Sequence, residues 1–304
     1  MSACTISAID RRPALPAALA LALALLAAPE AGAAGPAAGP ADLQRIVERA
    51  DKALDKAEGA VRGRDPGHVS LLLKRVDDEL AGLQEASRLE ALAAAIDAAR
   101  DAARAGDLQA SAGSIQRCRG LYPPLSDYVV LRQAEESSRS ALRAAQSGDA
   151  QGCLEAIDRF DASVLPRVLL KRIQEGRQGV ARARTAMVRS DMKGGAEEVA
   201  GIRRALDGLR YAGALSRAVF GLGLGSELLQ QGALVAARDQ VQRALRDLRV
   251  AGELGSGRDG SAALEQARSA AEEVWRRITR PQEGDAARLL DARQAIDAIR
   301  RRQR

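Results

Sequence analysis

His68 is the single imidazole in a chain of 304 residues, and it follows Pro66-Gly67 where a helix is expected to begin. A Ser-His-Asp triad or a histidine metal site needs partners that the neighbouring sequence does not supply. His68 therefore reads as a surface or capping residue. Acidic neighbours are more numerous: Asp77-Asp78-Glu79, Glu135-Glu136, Glu197-Glu198 and Glu272-Glu273. Two carboxylates can cleave a glycosidic bond, but each group here sits among Lys and Arg at helical spacing, as on a solvated helix face. Gly221-Leu222-Gly223-Leu224-Gly225 has the look of a phosphate loop. Such a loop needs a strand before it and a helix after it, whereas this run lies inside a helical pattern with Ala218, Leu222 and Leu229. Close helix packing is the better reading. Because glycine weakens a helix, this stretch is also the expected hinge. No catalytic, metal or cofactor site is expected, and the chain does not read as an enzyme.

Cys118 and Cys153 fall on apolar helix stripes in consecutive repeat units, at offsets that differ by seven residues. With second helices stacked in register that is roughly 10 Å along the axis. Added to a helix spacing of about 8–10 Å, it leaves the pair beyond the reach of a disulfide, about 7 Å between Cα atoms. Two free thiols are expected.

Charge is more informative. Residues 171–212 hold ten Lys or Arg against five Asp or Glu, while 45–86 hold eight against nine. The candidate anion- or partner-binding residues are Lys171, Arg172, Arg182, Arg189, Arg203 and Arg204, and the C-terminus adds Arg300, Arg301, Arg302 and Arg304. An acidic protein or peptide, an anionic envelope polymer and lipid head groups are the partners this charge suits. Nucleic acid is disfavoured, because aromatics are 2% of the chain and base stacking needs them.

Alanine and leucine supply most of the apolar 46%. Both are strong helix formers, whereas the β-branched and aromatic residues that strands favour are scarce. The expected class is all-α. A turn signal recurs every 42 residues, at Arg64-Asp65, Gly106-Asp107, Gly148-Asp149, Ser190-Asp191 and Gly232-Ala233, then after 52 at Gly284-Asp285. The Gly ends one helix and the Asp caps the next. Eight, eleven and fifteen residues past the Asp lie Leu73, Val76 and Leu80, then Ile115, Cys118 and Tyr122, then Ile157, Phe160 and Val164. Those offsets form one helical stripe. Small residues precede the turn in columns: Ala57, Ala99, Ala141, Ala183 and Gly225. About six antiparallel hairpins follow: helices over 45–63 and 66–84, 87–105 and 107–119, 126–147 and 149–162, 167–189 and 191–210, 213–231 and 233–250, 262–282 and 285–302. Both an α-solenoid and an elongated helical bundle fit this pattern.

Ala102-Ala103-Arg104-Ala105-Gly106-Asp107, with Ala112, Ile115 and Pro123, resembles the turn and second helix of a tetratricopeptide repeat. Ala144-Ala145-Gln146-Ser147-Gly148-Asp149, with Cys153, Ile157, Phe160 and Pro166, resembles it again. The likeness lies mainly in residues 102–166. The Trp-Leu-Gly-Tyr pattern of the family's first helix is missing, and its period is about 34 residues. The resemblance implies helix pairs that bind proteins on a concave surface.

Arg11-Arg12, an uncharged run over 14–28 and Ala31-Gly32-Ala33 are in the order of a signal peptide cleaved after residue 33. A run of 15 residues is short for a bilayer, and no membrane span is expected in the mature chain. The expected organisation is a signal peptide at 1–33, a flexible stub at 34–40, five hairpin repeats at 41–250, a Gly-rich loop at 251–261 that acts as a joint, and a C-terminal hairpin at 262–304. The location would be periplasmic or secreted. Two readings of function stand: a binding or scaffold protein that offers an extended surface to a protein or peptide, and a binder of a small ligand or anionic envelope polymer through 171–212.

Overall fold

The computed structural model describes residues 40–125, 129–255 and 260–302. The chain divides at Ala37, and every described helix belongs to the unit from Ala38 onward. The expected signal peptide, residues 34–39 of the stub and the centre of the Gly-rich loop lie outside the described residues. Those described form an all-α fold with no strand among them. In chain order the helices are α1 (Pro40–Arg62), α2 (Pro66–Ser87), α3 (Leu89–Arg104), α4 (Leu108–Leu121), α5 (Leu131–Gln146) and α6 (Ala150–Val164). After them come α7 (Pro166–Val188), α8 (Met192–Gln230), α9 (Leu234–Leu254), α10 (Ser261–Arg277) and α11 (Asp285–Arg301). A 3-10 turn at Pro123–Leu125 follows α4. None of the described helices is long and apolar enough to cross a membrane.

Five turns share one backbone path. Arg64, Gly106, Gly148, Ser190 and Gly232 each take a left-handed φ between 56° and 80°. The next residue's N–H then reaches back to the carbonyl five positions earlier, at 3.2 Å for Asp65 and 2.9 Å for Asp107, Asp149, Asp191 and Ala233. That bond closes one helix. The Asp side chains at 65, 107, 149 and 191 open the next, accepting from the N–H of His68, Ala110, Gly152 and Gly194 at 2.8–2.9 Å. Each such cap contributes on the order of 1 kcal/mol. His68 takes part through its backbone, and its side chain is exposed.

Two features differ from the expected arrangement. The sequence pattern predicts a helix break between residues 210 and 213, but α8 continues through it for 39 residues, about 58 Å at 1.5 Å per residue. The local reason is that Arg210-Tyr211-Ala212-Gly213-Ala214 carries neither a proline nor a capping side chain, so nothing stops the helix. The fourth and fifth expected hairpins therefore share α8: α7 packs on its first half, α9 and α11 on its second. In addition, hairpins do not stack only on their sequence neighbours. The first hairpin lies on the fourth, α2 against α7 and α1 against α8, while α3 meets α6 and α7.

The core follows the same division. One cluster runs from Ile46 to Ala212, and a second gathers Val130, Tyr211 and residues of α8 to α11. Leu206, Leu215 and Leu222 of α8 are fully buried, each worth about 1.5–3 kcal/mol relative to exposure. The terminal hairpin is part of this second core, through Leu264, Val274, Leu289 and Ile296.

Candidate binding groove

The glycine run on α8 is a packing surface. A Cβ at Gly221 would meet Ala244 at 3.0 Å and one at Gly225 would meet Val241 at 2.8 Å, both on α9. A Cβ at Gly223 would lie 3.2 Å from Arg293 Cδ on α11. The run is unbroken helix, buried between two neighbours, rather than a loop around a phosphate.

Most of the acidic groups are engaged with arginines, and Asp78 pairs with Lys74 at 3.6 Å. Asp77 lies 3.1 Å from Arg177, Glu79 2.8 Å from Arg49, Glu135 2.9 Å from Arg139, and Glu136 2.8 Å from Arg132. Among the described residues no group of three or more His, Cys, Asp or Glu side chains is placed to hold a metal ion. Cys118 and Cys153 are free and buried. Burial pushes the Cys118 thiol up to about 12, and Cys153 Sγ lies 3.6 Å from Ser111 Oγ.

Of the six basic candidates, the fold brings three to one place. Arg172 and Arg182 of α7 and Arg204 of α8 line an open groove of about 880 Å³, together with Arg302 at the end of α11. Val168 and Glu175 of α7 and Gly201, Ala205 and Gly208 of α8 also line it, Ala205 and Gly208 being largely covered by α7. The geometry follows from how α7 is turned. A Cβ at Gly176 would lie 3.0 Å from Leu80 of α2, and one at Gly179 would lie 2.9 Å from Ile202 of α8. Arg172, one turn before Gly176, lies on that same side of α7 and reaches over α8, whereas Arg182 is exposed, ten residues or about 15 Å further along the helix.

Two of these arginines carry exchangeable partners. Arg172 Nη1 lies 2.9 Å from Glu175 and Arg182 Nε 2.9 Å from Glu198, all four side chains being partly exposed. Arg172 also lies across Gly208, with Cδ and Nε 3.2 Å from where a Cβ would be. Among the described residues Arg204 and Arg302 have no ion pair.

The other three candidates are elsewhere. Lys171 and Arg189 are exposed outside the groove. Arg203, about 100° round α8 from Arg204, points into α1, where it binds Asp51 and Asp55 and donates to Glu58 at 2.9 Å. Burial would lower its pKa, but the hydrogen bonds to Glu58 and Asp55 outweigh this and raise it. It fastens the first hairpin to α8, which leaves it unavailable to an anion. Arg302 and Glu175 belong to the site without being among the six residues that sequence points to. Arg302 is visible in the sequence only as part of a terminal charge run, since nothing local says that α11 ends beside α7.

The site and fold together define an all-α helical-hairpin protein with a cationic groove. No protein-family model, curated protein or solved structure matches the chain.

Proposed function

We propose that this is a non-catalytic binding protein of the cell envelope whose α7–α8 groove receives an acidic segment of a partner polypeptide. The observation that carries the reading is the meeting of Arg172, Arg182, Arg204 and Arg302 around one groove with a single carboxylate, Glu175, in its lining. Arginine suits this task because its planar fork pairs with carboxylates in two-bond geometry. The pairs with Glu175 and Glu198 are partly solvated and cost little to exchange for a partner's carboxylates. Placement in the envelope rests on the signal-like order of residues 11–33.

A tetratricopeptide-like origin belongs to the same reading. Its support is the common path of the five turns from Arg64 to Gly232. The docking of the first hairpin on α7 and α8 favours an elongated bundle over an open solenoid.

The test is fluorescence anisotropy of a labelled glutamate-rich peptide with the full chain and with Arg182→Glu/Arg204→Glu. The reading expects binding that weakens at least about tenfold in the variant, roughly 1.4 kcal/mol, and weakens further with salt. Equal affinity for both proteins would contradict it. Binding of polyphosphate or anionic vesicles with none of the peptide would point to the polymer or lipid-surface alternative.

A further inference from the structure

We infer that Gly208 is a positioning residue of the groove: it seats the side chain of Arg172 on α8 and makes Arg172 the fixed anchor for the acidic segment. This rests on the groove being the binding site for an acidic polypeptide, and adds which arginine carries most of the recognition and what holds it in place.

Arg172 starts on α7 and crosses to α8. A Cβ at Gly208 would lie 3.2 Å from both Cδ and Nε of Arg172 and 3.7 Å from its Cζ. The stem of the arginine therefore rests on bare helix backbone, in space that any other residue at 208 would fill. Gly208 is buried there, even though an interior glycine weakens a helix. The same helix seats a second arginine further on. A Cβ at Gly223 would lie 3.2 Å from Cδ and 3.3 Å from Nε of Arg293, which reaches across from α11.

The head of Arg172 is held as well, Nη1 lying 2.9 Å from Glu175 one turn along α7. Arg182 is the freer of the two. It bonds Glu198 of α8 through Nε at 2.9 Å, and its side chain is 58% exposed against 39% for Arg172. A guanidinium fixed before the partner arrives loses less freedom on binding than one that must be ordered then. Its planar fork also pairs with a carboxylate in two-bond geometry only when its orientation is set. Exchange of Glu175 for a partner's carboxylate leaves the stem on Gly208. Binding energy concentrates in a few such ordered side chains, arginine prominent among them.

Anisotropy of the labelled glutamate-rich peptide with the full chain tests this. Arg172→Ala is expected to weaken binding at least about fivefold, and more than Arg182→Ala does. Gly208→Val alters no charge, yet it should weaken binding to a similar extent and flatten its salt dependence as Arg172→Ala does. In the Arg172→Ala chain, Gly208→Val should cost nothing further, because the arm it displaces is gone. Circular dichroism checks folding. If Gly208→Val alone is unfolded, adding Arg172→Ala should restore the fold, and a double variant that stays unfolded would overturn the inference. Unchanged affinity in Gly208→Val, a loss that persists undiminished without Arg172, or a larger loss for Arg182→Ala would also overturn it, with the acidic-polypeptide reading left standing. If the peptide does not bind the unaltered chain, both fall.

Discussion

Arg300 Nε donates to Ser216 Oγ across 2.9 Å, joining the last helix to the middle of α8 from 84 residues away. Both residues are 1% exposed. The guanidinium also donates to the Ser163 carbonyl at the end of α6 and stands 3.7 Å from Asp297. One buried cation thus pins α11, α8 and α6 together. We expect Arg300→Met to cost about 2–4 kcal/mol, because it leaves Asp297 and the Ser163 carbonyl under-satisfied. Ser216→Ala should cost about 1 kcal/mol. Urea unfolding monitored by circular dichroism measures both, and a loss for Ser216→Ala larger than for Arg300→Met would refute this ranking.

The same attachment ties the last hairpin to the middle of α8. α11 packs on α8 at Ser216, Gly223 and Ser226 through Arg300, Arg293 and the Ala286 carbonyl.

Glycines on α8 should respond oppositely to glycines on open helix faces. At Gly113 of α4 a Cβ meets nothing within 4 Å, whereas at Gly225 it would reach Val241 at 2.8 Å. Gly113→Ala should stabilise by about 0.5–1 kcal/mol, the usual gain from removing an interior glycine. Gly225→Ala forfeits that gain to a clash with α9, and a net loss of about 1–3 kcal/mol is expected. Thermal midpoints of the two variants moving in the same direction would show that α8 and α9 are not so close.

Asp285 supplies a pH dependence with a definite sign. It is 2% exposed at the start of α11, accepts from Arg277 at 2.6 Å, and takes the Gln282 N–H at 2.9 Å. Burial alone would raise its pKa, but the bonds from Arg277 and Gln282 prevail and hold it below the usual carboxylate range. A group depressed in the folded state stabilises fully above its unfolded pKa, about 3.9. That contribution fades as pH falls through the lower folded value. Asp285→Asn should therefore cost about 1–3 kcal/mol at neutral pH, and its difference from the unaltered chain should shrink in acid. A difference in urea stability that stays constant from neutral pH into acid would refute the assignment.

How far these contacts are legible in the sequence depends on their range. The turns are legible because they are local: a left-handed residue followed by Asp both ends and begins a helix within six positions, as at Gly106-Asp107 and Gly148-Asp149. Continuity of α8 is harder. The 42-residue period implies a border near residue 211, but a period says where a unit repeats and not whether the backbone turns there. The first hairpin's place on the fourth is invisible, because Arg203 and its partners Asp51, Asp55 and Glu58 are about 150 residues apart and look like ordinary surface charges. For the groove, charge density marks the correct segment, yet it does not separate Arg204, which faces the groove, from Arg203 beside it. A helical wheel of α8 divides them, since consecutive residues point about 100° apart.

The most direct test of the groove is amide hydrogen exchange of the full chain with and without the glutamate-rich peptide. Slower exchange is expected in the peptides covering 168–182, 201–211 and 299–302, with residues 45–75 unchanged. Protection confined to other surfaces, or spread evenly over the basic face, would contradict the account.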